Sequence, residues 1–351
     1  MALIDQIMNP HIKDVIADYG LGQVTDLRKT EVGMTHQSWI ADTSMGRVVV
    51  REAPAYRSKK DIDFEHSTIR VLAQANIPYS LPVPLQTHQG HYFVRHCGRI
   101  YWVYRYIEGT TGCFSRRVLM CQVPQAMATL HDAIAEGWIT RQENPWRPFN
   151  LEWLVQALIR SKMVFPPLID HAEPCYHYYR AKVDKAIHLV EKLTACGYDV
   201  FANFPIHSDW NPDNLVFRNG RLVGILDFGN CREGTAIHDI AMFLSRTLAD
   251  LPLDDSADRI RLDVPLARQF ISHYRRFRNL GDDEVRFIPM IAASEAADGF
   301  WWQYRMLMTG QAGLVTIESI QNVYERLVWY TENEPAISEA LVAPTHIAGQ
   351  L

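Results

Sequence analysis

Between Pro205 and Phe217 the chain reads PIHSDWNPDNLVF, which sets one histidine, two aspartates and two asparagines within eight residues between apolar flanks. It continues as RNGRLVGILDFG to Gly229. An Asn-Gly step between two short apolar runs, 215–217 and 222–226, signals a tight antiparallel hairpin. Both ends of such a hairpin lie on one side, so the spacing predicts that Asn214 and Asp227 come together. Asp209, five residues before Asn214, belongs to the same loop, which Pro212 stiffens. A carboxamide flanked by two carboxylates offers the hard oxygen donors that Mg2+ takes, with water and phosphate oxygens completing the shell. Phosphoryl transfer needs that cation and a carboxylate to accept the proton of the attacking hydroxyl. Taken singly, each of these residues is an ordinary turn or capping residue; three at these spacings point to chemistry.

Composition bounds the rest. The chain has 351 residues, 48% of them hydrophobic, enough for a sizeable core. Its net charge, 35 − 40 = −5, argues against a nucleic-acid or anionic-membrane partner. No apolar run is long enough to span a bilayer, and the first twenty residues lack a signal-peptide core. The six cysteines are scattered without a CxxC pair, which fits buried thiols in a reducing, cytoplasmic setting.

Periodicity predicts a helix over 9–19, strand-like runs around turns at Gly33 and Ser44–Gly46, and a helix through DIDFEHSTIRVLAQ that Pro78 stops. Two further strands, HYFVRHCG and RIYWVYRYI, follow. After a connector at 104–112 the pattern turns helical, over 117–136, 176–197, 237–250, 264–278, 284–308 and 313–333, with a frayed tail after Pro335. His131, His207 and Asp239 read as structural residues. Asp239 is expected either to cap a helix or to bind backbone amides of the 207–214 loop.

With these elements in place, HSDWNPDN followed by ILDFG resembles the His-x-Asp-x4-Asn and Asp-Phe signatures of the aminoglycoside phosphotransferase and choline-kinase-like superfamily. Within it the sequence is most similar in flavour to the homoserine kinase type II-like branch. EVGMTHQSWIAD with GRVVVRE looks like the nucleotide loop and following strand, YRYIEG like the hinge, and MATLHDA like the Leu-x-x-Leu-His helix. The resemblance implies an α+β, protein-kinase-like two-lobed fold: a β-rich nucleotide-binding lobe over 1–107, and a helical lobe over 108–351 with the catalytic and metal loops and the acceptor site. It implies ATP and Mg2+ as cofactors and a small-molecule hydroxyl as acceptor.

By the same resemblance Asp209 is the catalytic base and Asn214 and Asp227 are the metal ligands. Gly33, Met34, Thr35, His36 and Arg51 would contact the nucleotide, with Glu65 as the ion-pair partner of Arg51. Tyr104, Arg105, Tyr106 and Ile107 would offer backbone groups to adenine. Asp298, Trp302 and Arg305, at near-helical spacing beside Glu295, are the candidate acceptor residues, an acid beside tryptophan being able to hold an amine. The sequence departs from the pattern at Arg51, where a lysine is usual, at His36, where asparagine is common, and at Ser208, where many members have glycine. The acceptor stays open among an amino-alcohol such as homoserine, an aminoglycoside, choline, a thio-sugar and protein serine or threonine. A nucleotide-binding module without catalysis is the reading from another class.

Overall fold

A computed structural model describes residues 10–30, 37–112, 115–137, 151–164, 172–194, 204–248, 261–308 and 315–343. They form two compact units, a small antiparallel-sheet lobe and a helical lobe.

The first unit takes the described residues up to 112 together with 133–137 and 213–231. Its sheet has the order β1-β2-β3-β5-β4, all neighbours antiparallel, from β1 (Val24–Lys29), β2 (Gln37–Thr43), β3 (Gly46–Glu52), β4 (Val94–His96) and β5 (Arg99–Arg105). Side chains alternate across a strand, so β3 feeds two cores. Val48 and Val50 join Ile12, Val15 and Ile16 of α1 (Pro10–Asp18), whereas Val49 joins Ile62 of α2 (Lys59–Gln74), Trp102 and Tyr104. Arg51, two residues beyond Val49, falls on the α2 face. The Ser58 side chain and the Asp61 carboxylate cap each other's backbone N–H groups at the start of α2. That fixes where the helix, and Glu65 on it, begins.

The Asn-Gly hairpin belongs to this unit. β7 (Leu215–Arg218) and β8 (Arg221–Ile225) pair with Leu215 opposite Ile225, and both turn residues are left-handed, Asn219 at φ 53° and Gly220 at φ 73°. Thr110 and Phe217 exchange backbone hydrogen bonds at 2.9 and 2.8 Å, and the Ser80 peptide bonds Val223 and Ile225. Gly109 is required there: its φ is 152°, and a Cβ would lie 2.6 Å from the Phe217 carbonyl.

The second unit takes 115–132, the described part of 151–212, and the described residues from 232 on. It contains α3 (Arg116–Gly137, its last turn excepted), α4 (Leu151–Ser161), α5 (Ala172–Thr194), the paired strands β6 (Phe204–Ile206) and β9 (Arg232–Gly234), and α6 (Ala236–Met242). α7 (Val264–Tyr274), α8 (Asp282–Val285), α9 (Ile288–Met308) and α10 (Ile317–Val342) complete it. Tyr179 of α5 stacks on Phe300 of α9, with ring centroids 4.4 Å apart, at the centre of its core.

Three sequence expectations need correction. Helix α4 was not foreseen, although Leu154, Val155 and Leu158 line its buried face. The single helix expected over 284–308 is two, broken at Arg286–Phe287. The tail is not frayed at Pro335: α10 runs through it to Val342, because Ile337 and Leu341 are buried and the Ser338 hydroxyl donates to the Arg286 carbonyl at 2.7 Å. Of the cysteines, Cys175 and Cys231 are buried thiols, but Cys97 and Cys121 are exposed. Among the described residues no helix is long and apolar enough to cross a membrane.

Candidate active site

Asn214 closes a short 3-10 turn and is buried immediately before β7; Asp227 comes two residues after the last residue of β8. The Leu226 N–H donates to the Asn214 carbonyl at 2.8 Å, extending the ladder past Leu215–Ile225. The hairpin therefore brings residues 214 and 227 to its open end, as its turn chemistry predicts. Asp227 sits in the left-handed region at φ 56°, and its Oδ1 accepts from the Gly229 N–H at 3.1 Å.

The same Oδ1 lies 2.5 Å from Arg51 Nη2, whose side chain is 6% exposed. Burial alone would favour neutral Arg51, but the charges of Asp227 and Glu65 outweigh it and hold the guanidinium more firmly protonated than usual. The Arg51 guanidinium also lies 5.7 Å from the Trp102 ring centre. The expected Arg51–Glu65 pair is corrected. Glu65 Oε2 is instead 2.5 Å from Arg57 Nη1, both side chains being 2% exposed, and reaches Arg51 only through its field. Arg57 precedes the capping residue Ser58, and α2 turns Glu65 back over its own first turn toward it.

The connector expected to meet adenine is partly committed to the sheet. Tyr104 is buried and pairs with Val49, the Tyr106 N–H donates to the Arg47 carbonyl at 3.1 Å, and the Arg105 side chain donates to the Met45 carbonyl at 2.5 Å. The Ile107 peptide makes no backbone hydrogen bond among the described residues. Gly33, Met34, Thr35 and His36 lie outside the described residues.

In the second unit, one buried carboxylate organises the loop that carries Asp209. Asp239 of α6 is fully buried; its Oδ1 accepts from the Ser208 N–H at 2.8 Å. Its Oδ2 accepts from the His207 N–H at 3.1 Å, the Trp210 indole at 2.9 Å and His131 Nε2 at 3.1 Å. Of the two roles expected for Asp239, the amide-binding one is found. Burial opposes its charge, yet the His131 hydrogen bond and the loop donors outweigh it and hold its pKa below the ordinary value. On its other side, His131 Nδ1 is hydrogen-bonded with the Tyr274 hydroxyl at 2.8 Å. His207 accepts from the Asp209 N–H at 3.2 Å, and the Asp209 carboxylate accepts from Asn211 at 3.0 Å. Asp209 itself is half-buried and Asp213 is exposed.

Asp298, Trp302 and Arg305 lie on α9, all half-buried, and the Arg305 guanidinium lies over the Trp301 ring at 5.9 Å. Sequence reasoning missed the cluster beside them. Glu295 Oε1 is 2.8 Å from both Arg232 Nη2 and His238 Nε2; burial would raise its pKa, but these neighbours, the Arg232 charge foremost, hold it low. Asp298, one turn on, has its pKa raised by burial and by the Glu295 charge. A REG segment just past DFG offered no local signal for these contacts.

No group of three His, Cys, Asp or Glu suited to a metal occurs among the described residues. The donor set that fits Mg2+ is the hairpin's carboxamide and carboxylate, hard oxygens that leave most of the octahedron to water and phosphate.

A small antiparallel lobe, a helical lobe and this pair of loops define a protein-kinase-like phosphotransferase fold. The chain belongs to the phosphotransferase enzyme family (APH), whose sequence profile matches residues 26–280, and it is a small-molecule kinase. It is 24% identical over 310 residues to a homoserine kinase of Paramagnetospirillum magneticum (strain ATCC 700264 / AMB-1), covering 84% of this chain and 86% of that protein. Among solved structures it is similar to the amicoumacin kinase hAmiN in complex with AMP-PNP, Ca2+ and Ami, with TM-score 0.63 and 15% identity over 92% of this chain and 93% of that one. A microcompartment-associated aminopropanol kinase gives TM-score 0.63 and 14% identity, over 93% and 98%.

Proposed function

We propose that the protein transfers the γ-phosphate of ATP, in the presence of Mg2+, to the hydroxyl of a small amino-alcohol, homoserine being the first candidate. The observation that carries this reading is the open end of the hairpin, where Asn214 and Asp227 meet with Arg51 already gripping Asp227. Mg2+, when bound, neutralises phosphate charge. Asn214 and Asp227 would supply its protein oxygens, and Arg51, held on Asp227, would add a positive charge beside the phosphates. Asp209 accepts the proton of the acceptor hydroxyl as the new O–P bond forms and the bond to the leaving ADP oxygen breaks. The names of the homoserine and aminopropanol kinases support an acceptor with an amine beside its alcohol, and the half-buried Asp298 is the group suited to that ammonium. The nucleotide analogue and divalent cation named with the amicoumacin kinase support the ATP and metal assignment.

The test is an ADP-release screen over small alcohols with homoserine first, run beside calorimetric titration of ATP. Asp209→Asn is expected to keep ATP binding and lose on the order of 10²-fold or more in turnover. Unchanged turnover removes Asp209 from its role. ATP binding without turnover on any acceptor favours the non-catalytic module.

A further inference from the structure

Ser208 stands directly before the proposed base and adopts φ 58°, a conformation disfavoured for a residue with a side chain. Its N–H is fixed by Asp239, and its hydroxyl accepts from Arg232 Nε at 3.0 Å. Arg232 begins β9 and pairs with Ile206 of β6, so the sheet register sets it two residues upstream of Ser208 on the facing strand. The other end of the same guanidinium, Nη2, donates to Glu295 Oε1 at 2.8 Å, and the Arg232 side chain is only 18% exposed. Glu295 lies in the middle of α9, one turn before Asp298.

We infer that Arg232 is a positioning residue, which ties the loop bearing Asp209 to the helix bearing the proposed acceptor-binding residues; this rests on the phosphotransfer reading above. One planar, doubly hydrogen-bonded fork joins Ser208 and Glu295, so a shift of α9 is transmitted to the residue preceding Asp209. His238 Nε2 lies 2.8 Å from the same Glu295 oxygen, a second contact that holds this carboxylate on α9 when Arg232 is removed. Loss of Arg232 therefore releases the loop and not the helix. Lysine cannot replace it, because a point charge reaches one partner at a time.

The test is a double-mutant cycle of Ser208→Ala and Arg232→Gln, with two readouts: kcat against KM, and hydrogen exchange of the 207–210 amides in the ligand-free enzyme. Each single variant is expected to lower kcat about fivefold, leaving the KM for ATP and the denaturation midpoint unchanged, and to speed exchange of those amides. The double variant is expected to be no worse than either single one, a coupling of threefold or more. Coupling below threefold in kcat and in exchange, or unchanged kcat, overturns the inference. Should Arg232→Gln not fold, Glu295→Gln takes its corner of the cycle. A wild-type enzyme that phosphorylates no acceptor refutes the phosphotransfer reading; the exchange cycle then decides the loop linkage alone.

Discussion

Replacing Asp239 by asparagine changes one atom and should release the loop that carries Asp209. The carboxylate takes four hydrogen bonds, three at Oδ2 and one at Oδ1. Asparagine has one acceptor oxygen. With that oxygen in the Oδ2 place, its NH2 meets the Ser208 N–H, donor against donor, and a buried amide is left unmade at about 1–3 kcal/mol. The three surviving bonds lose their charge assistance, about 1 kcal/mol each. Against this, a neutral side chain no longer bears the burial cost of a charge, so the net loss is about 3 kcal/mol. Denaturant unfolding reads it as a lower midpoint at unchanged slope. With the Ser208 amide unanchored, its left-handed conformation relaxes, Asp209 moves, and turnover falls on the order of 10²-fold. Because the folded pKa of Asp239 is depressed, its stabilisation is present above the ordinary carboxylate range and is lost as pH falls through the folded value. That acid-limb slope should vanish in the variant. A loss below about 1 kcal/mol with full turnover would show that something else sets the loop.

Two further outcomes are expected from the small lobe. His66 is buried with neither ring nitrogen hydrogen-bonded, packed edge-on to Trp102 at 5.4 Å, and burial and Arg57 push its pKa down to about 3. The unfolded chain then binds the extra proton, so stability should fall by about 1.36 kcal/mol per unit as pH drops below about 6.5; His66→Phe should flatten that slope in denaturant midpoints, and equal slopes would refute the assignment. Arg51→Lys keeps the charge but loses the Nη2 contact with Asp227 and the guanidinium's place over Trp102, for a cost of about 1–2 kcal/mol. It should also weaken ATP binding in calorimetry, and wild-type stability and affinity in that variant would contradict it.

What the sequence made legible was governed by local chemistry. Asn219-Gly220 can hardly be anything but a primed hairpin turn, and with it residues 214 and 227 had to meet. Asp239 could be narrowed to two structural roles by its place at the start of an apolar helix. The choice of ion-pair partner was not legible: Arg57 and Arg51 compete for Glu65, and only the turn of α2 onto its own N-terminus decides for Arg57. Nor was the Ser208–Arg232–Glu295 chain, whose members lie 24 and 63 residues apart and carry no shared pattern. Pro335 misled because a helix-breaking residue was read without the tertiary contacts that hold α10 beyond it.

The proposed catalytic groups are close in sequence yet anchored separately. Asp209 hangs from Asp239 in the helical unit, while Asn214 and Asp227 belong to the hairpin of the small unit, where Arg51 grips Asp227. The contacts described for each anchor lie within its own unit. On the proposed reading, loosening Asp239 acts on the proton acceptor and leaves the hairpin's oxygens in place, and loosening Arg51 acts on nucleotide and metal and leaves the Asp209 loop in place. A phosphotransferase built this way separates acceptor activation from phosphate binding. Substitutions at Asp239, Ser208 or Arg232 should then move kcat at constant ATP affinity, and substitutions at Arg51 should do the reverse.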